Sequence, residues 1–189
     1  MECDSISRYA LKPPEASLFD AEVLEKPAFT VLGRKAWMPL QKPEDFAALL
    51  KEARESGLIE KLMGLNGGKG GAMTNSDFLG VAVMHEDGNM DYYIAVEVRA
   101  DAVEAHDDAL ERFAIPASRW AILRGKGSGM DDISKLEQYG YCEWLPKSGL
   151  ELANTPQMNV FLSDGEGGYT ELWLPVAGAE SITSRYVTP

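Results

Sequence analysis

The chain is short of the residues that build covalent or metal-held frameworks, with 2 cysteines and 2 histidines among 189 residues. Cys3 and Cys142 lie too far apart in sequence to form a metal pair, and Cys3 falls in an irregular N-terminal stretch. That usage favours free thiols in a cytoplasmic protein over a disulfide framework. His85 and His106 each neighbour acids but no cysteine joins them, so neither a zinc site nor a Ser-His-Asp triad is expected. Basic residues are also scarce, 18 Lys and Arg against 30 Asp and Glu, for a formal net charge of −12. A surface of that sign repels phosphates, which argues against direct nucleic-acid binding, and it attracts cations. No apolar run approaches the ~18 residues of a membrane helix. The opening "MECDSISRYALKPPEASLFD" has neither a basic leader nor an apolar stretch, so no membrane association or signal peptide is expected.

What is present suits a globular α+β domain. Residues 1–22, which include Pro13-Pro14, read as an N-terminal arm, and residues 178–189 as a tail. Between them the pattern is regular. "AFTVLGRKAW" (28–37) predicts a strand, and "PEDFAALLKEARESGL" (43–58) predicts a helix stopped by Gly57. A Gly-rich loop from Met63 then leads to two strands, "FLGVAVMH" and "MDYYIAVEV", joined by the hairpin turn "EDGN".

The same order recurs in the second half. "IPASRWAILRGKG" (115–127) echoes "KPAFTVLGRKAW", a helix is predicted over 130–145, and strands follow at "QMNVFLS" and "YTELWLPV". Strand–helix–strand–strand, written twice over about 23–100 and 113–177, predicts a duplicated fold with a pseudo-twofold axis. Helices would cover one face of the sheet and leave the other free, with a ligand cleft at the junction.

Alternation within "YTELWLPV" sends Leu172, Leu174 and Val176 to one face and Tyr169, Glu171 and Trp173 to the other. An acid flanked by aromatic rings suits an organic cation. In the first half, Tyr92, Ile94, Val96 and Val98 form the core face, Tyr93, Ala95 and Glu97 share the open one, and the pseudo-symmetry predicts that Tyr93 and Glu171 approach each other across the junction. The competing reading is an edge-strand acid that is merely solvated.

Two Gly-rich stretches suggest phosphate binding but lack its signatures. The glycines of "RGKGSGMDDI" miss the dinucleotide spacing, and "GGKGG" has no Ser or Thr after Lys69. Both read as turns, and no cofactor is expected.

The run "YCEWLPKSGLELANTPQMNVFL" (141–162) resembles the gyrase-inhibitory-protein-like (GyrI-like) domains, also found as effector-binding domains of AraC-type and MerR-type transcription regulators. "FLGVAVMHEDGNMDYYIAVEV", "AIPASRWAILRGKG" and "YTELWLPV" look like the same family's other blocks in the same order. The resemblance implies the duplicated fold and a cleft that binds small lipophilic, often cationic, molecules in a regulatory or sequestering role. It implies Glu171 as the acid that meets the charge, with Trp173, Tyr93, Tyr169, Trp120 and Trp37 as candidate pocket aromatics. Trp144, in the "WLP" turn, reads as structural. One departure stands out: where the family's strand after "TP" often carries Glu, this chain has Asn159. No DNA-binding module is expected in the short stretch before Val23.

Two alternatives follow from the same resemblance. Some relatives look like hydrolases of strained electrophiles, in which case Glu171 would act as general base and Tyr93 as proton donor. A gyrase-inhibitor-like role would instead need a protein partner. Between binding and catalysis the sequence favours binding, because an acid and a phenol are all that a pocket requires.

Overall fold

The structure, a computed structural model, describes residues 19–39, 42–66, 71–99, 107–163 and 167–178. The first half contains β1 (Asp20–Lys26), β2 (Phe29–Met38), helices α1 (Pro43–Glu55) and α2 (Leu58–Leu65), β3 (Phe78–Met84) and β4 (Met90–Val98). The second contains β5 (Glu111–Ile115), β6 (Ser118–Lys126), α3 (Met130–Tyr139), β7 (Leu150–Leu152), β8 (Gln157–Leu162) and β9 (Tyr169–Gly178). α3 runs on through a π-helical turn, Gly140–Trp144, into a last helical turn at Leu145–Ser148. Among the described residues, no helix is long and apolar enough to cross a membrane.

The expected helix over 43–58 ends early. Gly57 adopts φ +71°, a left-handed conformation that glycine alone enters without a Cβ penalty, and a second helix starts directly after it. Part of the stretch read as the start of a Gly-rich loop is therefore α2.

All nine strands join one unclosed antiparallel sheet in the order β1-β6-β9-β8-β3-β4-β2-β5, with β7 on β9. Exchanging the halves (β1 with β5, β6 with β2, β9 with β4, β8 with β3) returns the same order reversed, which places the pseudo-twofold axis between β3 and β8. The strand–helix–strand–strand repeat is thus present, with one addition that the sequence reading missed. β1 precedes β2 in the chain but pairs with β6, and β5 precedes β6 but pairs with β2. Each half lends its leading strand to the sheet edge of the other. β1 also begins within the stretch read as an arm.

The helix side buries what alternation predicted. Tyr92, Ile94, Val96 and Val98 join Leu50, Ala53, Leu58, Ile59 and Leu62 of α1 and α2 in one core. Leu172, Leu174 and Val176 join Leu123 and Leu136 in another. At about 1.5–3 kcal/mol for each large apolar side chain buried, these two seams fix the helices on the sheet.

The opposite face, expected to be free, is a third core. Val31, Leu79, Val81, Ala95, Ile115, Trp120, Met158, Val160 and Trp173 are all buried there. Sheet twist accumulates over so many strands, and this face curls inward. Residues 71–76 lie against this face, with Met73 packed on its core. The Glu97 carboxylate accepts hydrogen bonds from the Met73 and Thr74 amides and the Thr74 hydroxyl, at 3.0–3.1 Å. Lys26, at the far end of β1, donates through Nζ to the Met73 carbonyl at 3.2 Å. One short segment therefore ties β1 to β4, five places apart in the strand order.

Candidate functional site

On the curled-in face, the chain supplies its own cation, Arg124, to the acid that sequence reasoning singled out. Glu171 is only 3% exposed. Arg124 stands directly across from it in the β6–β9 register. Its Nε donates to Glu171 Oε1 at 2.8 Å and its Nη2 donates to the same oxygen. The Trp173 indole donates through Nε1 to Glu171 Oε2 at 2.8 Å. The flanking rings are engaged as well: the Arg124 guanidinium lies 5.1 Å from the Tyr169 ring centre, and Lys26 Nζ lies 5.4 Å from that of Trp173.

Trp120 packs against Trp173 at 5.7 Å in the same core, with its indole nitrogen buried and unpartnered among the described residues. Tyr93 shares the face but lies three places from β9 in the strand order, stacked on Phe113 at 5.4 Å. Its row of the register runs through Val81 and Met158 to Trp173, whereas the Glu171 row runs through Val160 and Leu79 to Ala95. Tyr93 and Glu171 each have partners of their own: Phe113 stacks on Tyr93, Arg124 and Trp173 donate to Glu171, and no hydrogen bond joins the two among the described residues. Trp37 stands apart from all of these, 55% exposed, beside His85 at 5.5 Å.

A cleft opens on the helix side, over the pseudo-twofold axis, and none of those six residues lines it. Its volume is about 400 Å³, within the range of small-molecule sites. The floor is the β3–β8 pair with the end of β4: Gly80, Ala82 and Met84, Gln157 and Asn159, Met90 and Tyr92. Phe46 and Leu50 of α1 form one wall. Met130, Ile133 and Glu137 of α3 form the other, with Tyr141 from the π-helical turn.

Local sequence explains this placement. Met130, Ile133, Glu137 and Tyr141 follow one another at three- and four-residue steps, so they share a stripe of the helix. That stripe faces the sheet, and it carries Glu137 into an otherwise apolar wall. Gly80 makes room on the floor, since a Cβ there would lie 1.9 Å from the Tyr92 hydroxyl oxygen. The phenol occupies the space that a side chain would fill.

The polar groups of the cleft are few and connected. Asn159 donates through Nδ2 to Glu137 Oε1 at 3.0 Å. Burial pushes the Glu137 carboxyl above the ordinary range, and the Asn159 hydrogen bond partly opposes that shift. Among the described residues, no basic side chain forms an ion pair with Glu137. Burial raises the Tyr92 phenol most strongly, the Glu137 charge adds to this, and a hydrogen bond with the Asn159 side chain opposes it. The Tyr141 hydroxyl donates to Gln157 Oε1; burial also raises its pKa.

Sequence reasoning missed Glu137, Tyr92 and Tyr141 as site residues. The signal for Glu137 was a carboxylate on the apolar stripe of α3. The signal for Asn159 was its departure from the family's Glu. In this cleft the carboxylate comes from the helix, with the Asn159 amide of the strand as its hydrogen-bond donor.

None of the curated proteins compared with the chain is similar to it. Solved structures of low identity share its fold. SAV2435 bound to tetraphenylphosphonium aligns with TM-score 0.69 at 18% identity, over 88% of this chain and 99% of that one. The C-terminal domain of EcmrR aligns with TM-score 0.58 at 17% identity, over 86% and 99%. EcmrR in its DNA complex aligns with TM-score 0.59 at 20% identity, over 86% of this chain and 59% of that one. The family described as the GyrI-like small molecule binding domain matches residues 19–177, nearly all of the described fold. The chain belongs to the GyrI-like family of small-molecule-binding domains.

Proposed function

We propose that the helix-side cleft captures an amphipathic organic cation in a regulatory or sequestering role, with Glu137 as the charge partner. One observation carries this reading: a largely buried carboxylate lines an apolar, aromatic-bearing cleft, and no basic residue among those described pairs with it. A buried charge is costly without a counter-charge, and a cationic ligand would supply one. Tyr92, Tyr141 and Phe46 offer ring faces for the same cation. The related fold bound to tetraphenylphosphonium supports a cationic ligand, and the likeness to EcmrR, solved both as an isolated domain and on DNA, supports a regulatory context.

Glu171 differs in the respect that matters, because Arg124 already neutralises it. Isothermal titration with lipophilic aromatic cations tests the assignment. Binding should weaken in Glu137→Gln and persist in Glu171→Gln. The reverse pattern would return the ligand to the curled-in face.

A further inference from the structure

Several polar atoms of the cleft are positioned as acceptors, beside donors that Ser134, Tyr92 and the Gln157 amide supply. The Glu137 carboxylate accepts only. The Asn159 amide points its donor end at Glu137, an orientation fixed while Glu137 is ionised, because the reversed amide would set oxygen against oxygen. That leaves Asn159 Oδ1 buried and without a partner among the described residues, the one such side-chain atom in the residues that line this cleft. The Tyr141 proton is engaged by Gln157, so the phenolic oxygen is left to accept. A buried acceptor with no donor is destabilising, and a ligand that brings N–H groups removes that cost.

We infer that the site selects cations bearing N–H donors, such as a protonated primary amine on an aromatic body, over permanently charged cations that have none. The inference rests on the cation-binding reading and narrows it to a ligand class. Glu137 Oε2 and Asn159 Oδ1 would each accept from the ammonium group, while the rings and methionines of the cleft hold the apolar part. A quaternary cation could satisfy the charge of Glu137 but would leave the Asn159 acceptor unmet.

Two probes of equal charge and the same aromatic body separate these cases: 2-naphthylmethylammonium and its N,N,N-trimethyl analogue, each titrated calorimetrically into the full chain. The quaternary ion is the less hydrated, so a site that recognised only charge and apolar surface would favour it. The expected result is the opposite, an affinity for the primary ammonium higher by about tenfold or more, the size of one charge-assisted hydrogen bond. In Asn159→Leu, which keeps the volume and loses the acceptor, the preference should fall to within about threefold. Asn159→Ala repeats the test if circular dichroism shows the leucine variant to be misfolded. Equal affinities in the wild type, or a preference for the trimethyl probe, would overturn the inference and leave the cation site standing. A preference that survives in the Asn159 variants would overturn the role given to that residue. Binding of neither probe would overturn the cation reading itself.

Discussion

Replacing Glu137 by Gln should move two observables in opposite directions. Gln keeps the length and one carbonyl acceptor for the Asn159 amide, so the 3.0 Å hydrogen bond survives in neutral form. What disappears is a charge that burial disfavours. A cation about 4 Å from the carboxylate gains roughly 4 kcal/mol of Coulomb attraction at an effective dielectric near 20. Desolvation of the pair takes back part of that, and hydrogen bonds to charged groups leave a net of about 1.5–3 kcal/mol. Affinity for an aromatic ammonium should therefore fall roughly 10- to 150-fold. The unliganded protein should become more stable, because a carboxyl whose pKa is raised in the fold destabilises that fold wherever it is ionised. In a chain of this size about 1 kcal/mol moves Tm by about 2–4 °C, so scanning calorimetry at neutral pH resolves the gain. Weaker binding together with a lower Tm would instead mean that Glu137 holds the structure together and that ligand loss follows from damage to the fold, contrary to a role as charge partner.

Three further outcomes follow from the same geometry. Affinity for a permanently charged cation should rise with pH through the raised pKa of Glu137, with proton release on binding, while stability of the free chain falls over the window from the ordinary carboxylate pKa up to that raised value. Calorimetry in buffers of different ionisation enthalpy reads the first effect, and melting curves across that range read the second. Arg124→Ala should lower stability by about 1–3 kcal/mol in urea unfolding, because among the described residues it leaves buried Glu171 with only the Trp173 indole as donor, yet cation affinity should stay within about twofold. Gly80→Ala should destabilise by about 1–3 kcal/mol and reduce binding, because the new methyl group drives Tyr92 from its place on the cleft floor; an unchanged Tm and unchanged affinity would show that the phenol has other room.

Much of the fold is legible in the sequence because strand alternation and helix spacing are local. The period of two in "MDYYIAVEV" and "YTELWLPV" placed Tyr92, Ile94, Leu172 and Leu174 under the helices, where they are found. The repeat was legible for the same reason. The exchange of β1 and β5 was not, since each pairs with a strand of the other half and nothing in its own residues names that neighbour.

The candidate site shows the same boundary. Alternation put Glu171 on the face away from the helices, where it lies, but the environment of that face depends on how far the sheet curls. It also depends on Arg124 standing at the same height on β6, a register set by the whole sheet. Glu137 was within reach of local reasoning: it lies one turn after Ile133 on the stripe that meets the sheet. A charged residue on a buried stripe is the more informative observation, and the aromatic frame around Glu171 drew the reading away from it.

A crystal structure of the chain with an aromatic ammonium bound decides between the two faces. The ligand should sit on the helix side, its nitrogen within hydrogen-bonding distance of Glu137 and Asn159 and its rings against Tyr92 and Phe46, with the Arg124–Glu171 pair undisturbed. A ligand seated instead among Trp120, Trp173 and Tyr93, with Glu171 released from Arg124, would contradict the helix-side assignment.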